Sequence, residues 1–298
     1  MANNSKNKNQ GKLQVAFQGE RGAYSEEAVL TYFPPEQVVV KPCRTLYDTF
    51  EALQKHKVDY AVVPVENSLE GSINETYDLL LESPLKVCGE IHLRVRHSLI
   101  GRPDAKLSDI KTAYSHPQAL AQCRAHLREL GVKPVAFYDT AGSVKSLRRR
   151  RSKCIAAIAS KRAAEIYGMK ILREGIEDNQ NNYTRFFILG FKDAEPTGED
   201  KTSIVFSAKH VPGALYKALK EFADRNINLT KIESRPTRQK LWEYNFYLDF
   251  EGHRTDPKCK QALQALSQKQ MLTKILGSYP KAKQQPNNHQ NNNGSKNL

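Results

Sequence analysis

Short apolar runs alternate with helical periodicity through the first 190 residues, and then the rhythm changes. Residues 15–17, 38–42, 60–65, 111–114, 134–137, 155–159 and 184–189 read as strands, and 87–100 holds further strand material. Between them, helices are predicted over 25–33, over 46–55 and over 72–81. Leu46, Phe50 and Leu53 place one apolar face on the second of these. Further helices run from Ser115 to near Gly131, from Asp139-Thr140, and from Ser160 to a stop at Gly168. Strand and helix in alternation is the signature of α/β sheets. The strand at 184–189 follows the loop 175–182 and is expected to return to the first cluster, giving two α/β lobes with a cleft between them. Residues 192–200 are linker-like, and the pattern beyond them is βαββαβ, the ferredoxin-like arrangement. Its strand at 241–250 carries Trp242, Tyr244, Phe246, Leu248 and Phe250 at alternate positions. The expected organisation is a tail at 1–12, a two-lobed domain at 13–191, a linker at 192–200, a second domain at 201–278 and a tail at 279–298. Both tails are rich in Asn and Lys and are expected to be disordered.

Several strands in the first domain run straight into a polar turn that opens a helix. Gly19–Gly22 leads into Tyr24 and Ser25, and Glu66-Asn67-Ser68 leads through Gly71 to Ser72. Ser115-His116-Pro117-Gln118 opens another helix, and Asp139-Thr140-Ala141-Gly142-Ser143 a fourth. Ligands of open α/β sheets sit at the carboxyl ends of strands, where helix N-termini favour anions. Each turn has an ordinary structural reading as well: Ser115 with Gln118 is a capping box, Glu66-Asn67-Ser68 is good turn chemistry, and His116 belongs to a cap region. Near the last strand, Asn182-Tyr183-Thr184-Arg185-Phe186 adds a hydroxyl and a carboxylate-binding fork. Recurrence of hydroxyls and amides at one edge is what points to a site for a small anion. The set contains no convincing nucleophile–base pair, so it suits positioning with modest acid assistance.

The net charge of +14 narrows little, because each tail carries three lysines and no acid. The cluster Arg148-Arg149-Arg150-Arg151 with Lys153 is read as a solvated helix end; without interleaved aromatics it gives no reason to expect nucleic acid. No apolar run is long enough for a membrane span, and residues 1–12 lack the apolar segment of a secretory signal. Five cysteines with no Cys-x-x-Cys spacing predict a reducing, cytoplasmic setting without a zinc site. No cofactor or metal is expected.

These segments together resemble the prephenate dehydratase family in its monofunctional, regulated form. The matching stretches are Ala16–Gly19 through Gly22-Ala23-Tyr24-Ser25, Pro64–Ser68 with Gly71, Ser115–Gln118 with Gln122, Asp139–Ser143, and Asn182-x-Thr184-Arg185-Phe186. In the second domain, Gly213-Ala214-Leu215-Tyr216 and Glu233-Ser234-Arg235-Pro236 resemble the motifs of an ACT domain. The resemblance implies a type II periplasmic-binding-protein-like catalytic domain joined to a ferredoxin-like ACT domain. It implies decarboxylative dehydration of prephenate to phenylpyruvate, with no cofactor. Carried over residue by residue, Thr184 becomes the donor to the leaving hydroxyl, with Glu66, Asn67, Ser115, Gln122 and Arg185 in catalytic roles. Tyr24, Ser25, Ser68, Gly71, Ser72, His116, Thr140, Ser143, Asn182 and Phe186 are expected around the substrate.

By the same resemblance, phenylalanine is the allosteric ligand, held by Gly213–Tyr216 and Glu233–Pro236 between subunits of a homo-oligomer, a dimer or a dimer of dimers. Arogenate dehydratase is the near alternative. A non-catalytic two-lobed anion sensor is the alternative of a different class.

Overall fold

A computed structural model describes residues 11–208, 211–237, 243–269 and 271–283. The first lobe comprises β1 (Leu13–Gln18), α1 (Tyr24–Tyr32), β2 (Val38–Cys43), α2 (Leu46–Gln54), β3 (Tyr60–Asn67), β4 (Gly71–Ser72), α3 (Asn74–Glu82) and β5 (Lys86–Arg94). The second comprises β6 (Ser98–Gly101), β7 (Thr112–Ser115), α4 (Pro117–Gln122), α5 (Arg124–Glu129), β8 (Lys133–Ala136), α6 (Thr140–Leu147), β9 (Ile155–Ala159), α7 (Lys161–Tyr167) and β10 (Lys170–Glu174). The chain then crosses back as β11 (Tyr183–Gly190). The first sheet has the order β2-β1-β3-β11-β5 with β4 on β3, and the second the order β10-β6-β9-β7-β8. As expected, β11 rejoins the first lobe, lying antiparallel between β3 and β5.

Local chemistry sets some of these boundaries and long-range contacts set others. Thr45 and Asp48 form a reciprocal capping box that starts α2. Ser160 caps α7, and Gly168 ends it in the left-handed region at φ 65°. The single helix expected from Ser115 to Gly131 is instead two, broken at Cys123. The cause is long-range: Asp178 donates its N–H to the Gln122 carbonyl, while its carboxylate accepts from the N–H groups of Ala125 and His126. The helix expected from Ser72 begins at Asn74, because Gly71 and Ser72 pair with Asn67 and Glu66 as a strand. The edge strand β10 is an element the apolar pattern did not show.

After β11 come β12 (Asp200–Ala208), α8 (Ala214–Ala223), β13 (Leu229–Pro236), β14 (Tyr244–Glu251), α9 (Pro257–Gln268) and β15 (Leu272–Pro280), in the sheet order β13-β14-β12-β15. This is the βαββαβ unit the sequence predicts. Trp242, Lys209 and residues 1–10 and 284–298 of the tails lie outside the described residues. Residues 192–200 are not a free linker: the Ala194 N–H donates to the Ser278 carbonyl, Asp193 pairs with Arg254 at 2.6 Å, and Asp200 already begins β12. At the other end β15 continues past residue 278, and Tyr279 is fully buried.

Strand periodicity explains how the two domains join. Along β11, Phe186 and Ile188 enter the core beneath α1, whereas Phe187 and Leu189 enter a core shared with Val205, Tyr247, Leu276 and Tyr279 of the second domain. The second domain therefore packs one sheet face on lobe one and covers the other with α8 and α9. Contact is closest at Gly277, where a Cβ would lie 2.0 Å from the Val87 carbonyl oxygen of β5. At about 1.5–3 kcal/mol for each large apolar side chain buried, the four residues the second domain adds make this a structural joint.

Candidate active site

A cavity of about 350 Å³ opens between the lobes. It lies at the carboxyl ends of β1 and β3 and at the starts of α1, α4 and α6. Of the residues expected around a substrate or in catalysis, Tyr24, Ser25, Asn67, His116, Gln122, Thr140, Thr184 and Phe186 line it. Sequence reasoning missed Gln18, His97, Gln118, Tyr138 and Asp139 as lining residues, though Gln118 and Asp139 stood within two of the polar turns. The lobes are tied beside the cavity. Ser160 donates to the Gly22 carbonyl at 2.6 Å, Arg162 meets the buried Glu26 at 3.1 Å, and Lys145 meets Glu20 at 2.8 Å. Gly22 has φ 87°, and an added Cβ would fall 2.7 Å from Cα of Ala163, so this closure requires glycine there.

One hydrogen-bonded row crosses the cavity wall, and its proton order follows from the backbone. Asn67 Oδ1 accepts from the N–H groups of Leu69 (3.0 Å) and Glu70 (3.1 Å), which turns its Nδ2 towards Asn182 and Thr184. That nitrogen donates to Asn182 Oδ1 at 2.8 Å and to Thr184 Oγ1 at 3.0 Å. Asn182 must then donate from Nδ2 to Gln122 Oε1, at 2.9 Å. Gln122 Oε1 also meets His97 Nε2 at 3.0 Å, so that ring nitrogen carries a proton. His97 Nδ1 faces the Tyr24 hydroxyl at 2.9 Å. Because Thr184 Oγ1 accepts from Asn67, its own hydrogen is left to donate into the cavity. Burial pulls the His97 pKa below the usual histidine range, with the Gln122 contact and Glu177 opposing. Burial also raises the Asp139 carboxyl above its usual range, against the hydrogen bonds from Gly142 and Ala141.

Other expected site residues face elsewhere. Ser115 is fully buried and donates to the Ile158 carbonyl at 2.6 Å, tying β7 to β9 instead of meeting a ligand. Ser143 donates to the Thr140 carbonyl within its own helix. Asn182 stands behind the wall, linking Asn67 to Gln122. Arg185 is the largest correction. Thr184 faces the cleft, so its strand neighbour faces the second domain. There the guanidinium meets Glu90 at 2.7 Å, Asp249 at 2.6 Å and the Tyr279 hydroxyl at 3.0 Å, and stacks over Phe187 at 4.7 Å. Glu66 lies on the same side, paired with Lys231 at 2.9 Å. Ser68 and Glu66 line a separate interdomain cavity of about 320 Å³. Ser72 donates to Glu233, and Gly71 lies exposed in β4 with φ 81°.

The second domain's motifs split in the same way. Gly213, at φ 77°, is the N-cap of α8; Ala214 is buried and Tyr216 is 67% exposed. Leu215 packs against the core beneath the helix. On β13, Glu233 and Arg235 turn towards the first domain, where Arg235 grips Asp78 with two 3.2 Å bonds. Ser234 and Pro236 are left exposed.

Both domains resemble known proteins. Residues 15–194 match the family model for prephenate dehydratase, and residues 202–268 match that for the ACT domain. Arogenate dehydratase 2 of Petunia hybrida is 44% identical over 90% of this chain and 72% of its own length. The bifunctional chorismate mutase/prephenate dehydratase of Aquifex aeolicus is 41% identical over 91% of this chain and 74% of its own. Among solved structures, the prephenate dehydratase of Arthrobacter aurescens in complex with L-Phe superposes with a TM-score of 0.84 at 34% identity, covering 92% of each chain. A chain described as a novel type of quorum quenching acylase superposes at 0.83 with 37% identity, covering 91% of this chain and 98% of its own.

Proposed function

The chain belongs to the prephenate dehydratase family, and on that premise we propose how its cleft performs the decarboxylative dehydration of prephenate to phenylpyruvate. The ring C–CO2 bond breaks and its electron pair enters the ring. The opposite C–OH bond breaks, and the departing hydroxide takes up one proton to become water. Aromatisation supplies the driving force, so the protein has only to orient the dianion and stabilise the leaving oxygen. The observation that carries the reading is the Thr184 hydroxyl. It accepts from Asn67 Nδ2 at 3.0 Å and so presents its own hydrogen to the cavity. Gln122 and the starts of α1, α4 and α6 supply further donors for the carboxylates. In this reading Arg185 and Glu66 act from behind the strands, as braces.

The test is steady-state turnover of Thr184→Val, a near-isostere without the hydroxyl. Turnover is expected to fall by at least about tenfold with folding intact, while Thr184→Ser retains most of it. Full turnover by Thr184→Val would remove the assignment.

One observation favours a second substrate. Among the described residues Asp139 is the one acidic residue lining the cavity, and a carboxylate there suits the ammonium group that arogenate carries in place of the side-chain keto group. Relative kcat/KM for the two substrates decides between them. An acylase activity has less support. Among the described residues no hydrogen bond joins a cleft hydroxyl of Ser or Thr, or a thiol, to a histidine, as an activated nucleophile requires. Phenylalanine at the ACT domain is the regulatory ligand in this reading, supported by the L-Phe complex of the Arthrobacter protein. The edge position of β13, with Ile232 47% exposed, supports pairing with a second copy, as a dimer or a dimer of dimers. Five free thiols support a reducing, cytoplasmic setting. Among the described residues no helix is long and apolar enough to cross a membrane.

A further inference from the structure

His97 belongs to none of the segments that carry the family resemblance, yet both its backbone and its ring are held by hydrogen bonds. It is 2% exposed and sits on the strap joining β5 to β6, where the chain crosses between lobes. Its N–H donates to the Glu177 carboxylate at 2.9 Å, and its carbonyl accepts from Ile176 at 3.0 Å, so the segment joining β10 to β11 locks its backbone. Its ring meets Tyr24 edge-on, with 5.5 Å between centroids. At the ring's far end Nε2 meets Gln122 Oε1 at 3.0 Å.

We infer that His97 is a positioning residue, which holds the Gln122 amide so that its NH2 group faces the cavity as a carboxylate donor. The proton order requires this polarity. Gln122 Oε1 accepts from Asn182 on one side and from His97 Nε2–H on the other. With the oxygen held twice, the nitrogen points the opposite way, and among the described residues no acceptor meets it. The terminal torsion of a free glutamine amide is broad. Asn182 alone fixes one edge of the oxygen; the second donor removes the remaining rotation. The Nε2–H tautomer leaves Nδ1 to accept from the Tyr24 hydroxyl, whose alternative acceptor is the Arg96 carbonyl at 2.8 Å. His97 thus ties the start of α1 in one lobe to the end of α4 in the other.

The group that Gln122 holds in this inference is the substrate's side-chain carboxylate, and the inference rests on the proposed reaction taking place in this cleft. The side-chain carboxylate keeps its charge throughout that reaction. A donor to it binds ground state and transition state alike, so its loss raises KM and spares kcat. Thr184 has the opposite signature.

Kinetics of five variants, three at His97, Gln122→Ala and a double variant, test this. His97→Asn keeps a polar group near Tyr24 but is too short to reach Gln122. It is expected to raise KM about tenfold with kcat within about threefold of the unaltered enzyme. His97→Leu is expected to do the same, whereas His97→Gln, which restores a donor at the Nε2 position, keeps KM within about threefold. In a Gln122→Ala background, His97→Leu should add nothing further. Unchanged KM in the Asn variant overturns the inference, as does multiplication of the His97→Leu and Gln122→Ala effects. Should the Leu variant lose its circular dichroism, the Asn and Gln variants decide alone. If the unaltered chain turns over neither prephenate nor arogenate, the function reading fails. Calorimetric binding of phenylpyruvate to the same variants then judges His97 separately: weaker binding by His97→Asn but not by His97→Gln upholds it, and equal binding by both overturns it.

Discussion

Replacing Arg185 with methionine removes a buried charge and leaves two carboxylates behind. The side chains of Glu90 and Asp249 are 1% and 5% exposed, and Arg185 bridges them at 2.7 and 2.6 Å. Breaking a buried pair by deleting one partner typically costs about 3–5 kcal/mol, because the other charge is stranded. Here Glu90 keeps Lys201 at 3.0 Å and the Ala282 N–H at 3.0 Å, whereas Asp249 keeps the neutral Ser203 hydroxyl as a direct donor. The lower end, about 3 kcal/mol, is therefore expected. For a chain of this size that is a fall of about 6–12 °C in Tm. The pH dependence gives an independent check. Despite the opposing effect of burial, Arg185 holds both carboxyls below their usual range, with Lys201 assisting. Their folded-state pKa is thus depressed, so the stability they contribute is present above the ordinary carboxylate range and is lost as pH falls through and below it. In Arg185→Met the stranded carboxylates gain by protonation, so the gap to the unaltered protein should narrow on acidification. Thermal denaturation of both proteins between neutral pH and about pH 4 measures this. A loss below about 1 kcal/mol at neutral pH, or a gap that widens in acid, would show that the cluster is not a tightly paired buried network.

Asn67→Asp is nearly isosteric but cannot donate, so Thr184 would turn its hydrogen towards the new carboxylate and away from the cavity. Turnover should fall by about 10²-fold or more, with KM less affected, and steady-state kinetics with the far-UV spectrum as a fold control decide it. Gly277→Ala puts a Cβ into the Val87 backbone, 2.0 Å from its oxygen. Limited proteolysis should then cut between the domains faster than in the unaltered chain, and an unchanged pattern would mean that β15 does not lie against β5.

Much of this architecture was legible because its signals are local. Residues 155–159 form the strand their apolar run announces, and the capping chemistry at Thr45 and Ser160 sits where helices start. Several of the failures were cases in which a distant partner decides. Ser115 looks like a cap but is claimed by the Ile158 carbonyl, and the helix after it is broken by Asp178. His97 gave no signal at all, since Tyr24 and Gln122 lie 73 and 25 residues away. Arg185 is different, because the information was present. In a strand with period two, Thr184 and Arg185 cannot both enter one cleft. Reading Phe186, Phe187, Ile188 and Leu189 as two faces would have assigned the arginine to the far side.

That alternation also constrains how regulation reaches the chemistry. Thr184 and Asn67 pair across β11 and β3, as do Arg185 and Glu66. The first pair faces the cavity and the second faces the ACT domain. Glu66 is held by Lys231 of β13, Arg185 by Asp249 of β14 and Tyr279 of β15, and Asp78 of α3 by Arg235. A ligand that shifts the ACT sheet relative to lobe one must therefore either break these ion pairs or carry Glu66 and Arg185 with it. Breaking buried pairs costs several kcal/mol, comparable to or larger than a typical coupling free energy of about 1–3 kcal/mol. Moving the strands costs less, and Glu66 and Arg185 are covalently adjacent to Asn67 and Thr184 of the amide row. Displacement of β3 against β11 changes the Asn67–Thr184 distance directly, and with it the hydrogen that Thr184 presents. Packing transmits this because Phe187 and Leu189 share one close-packed core with Val205, Tyr247 and Leu276 of the second domain.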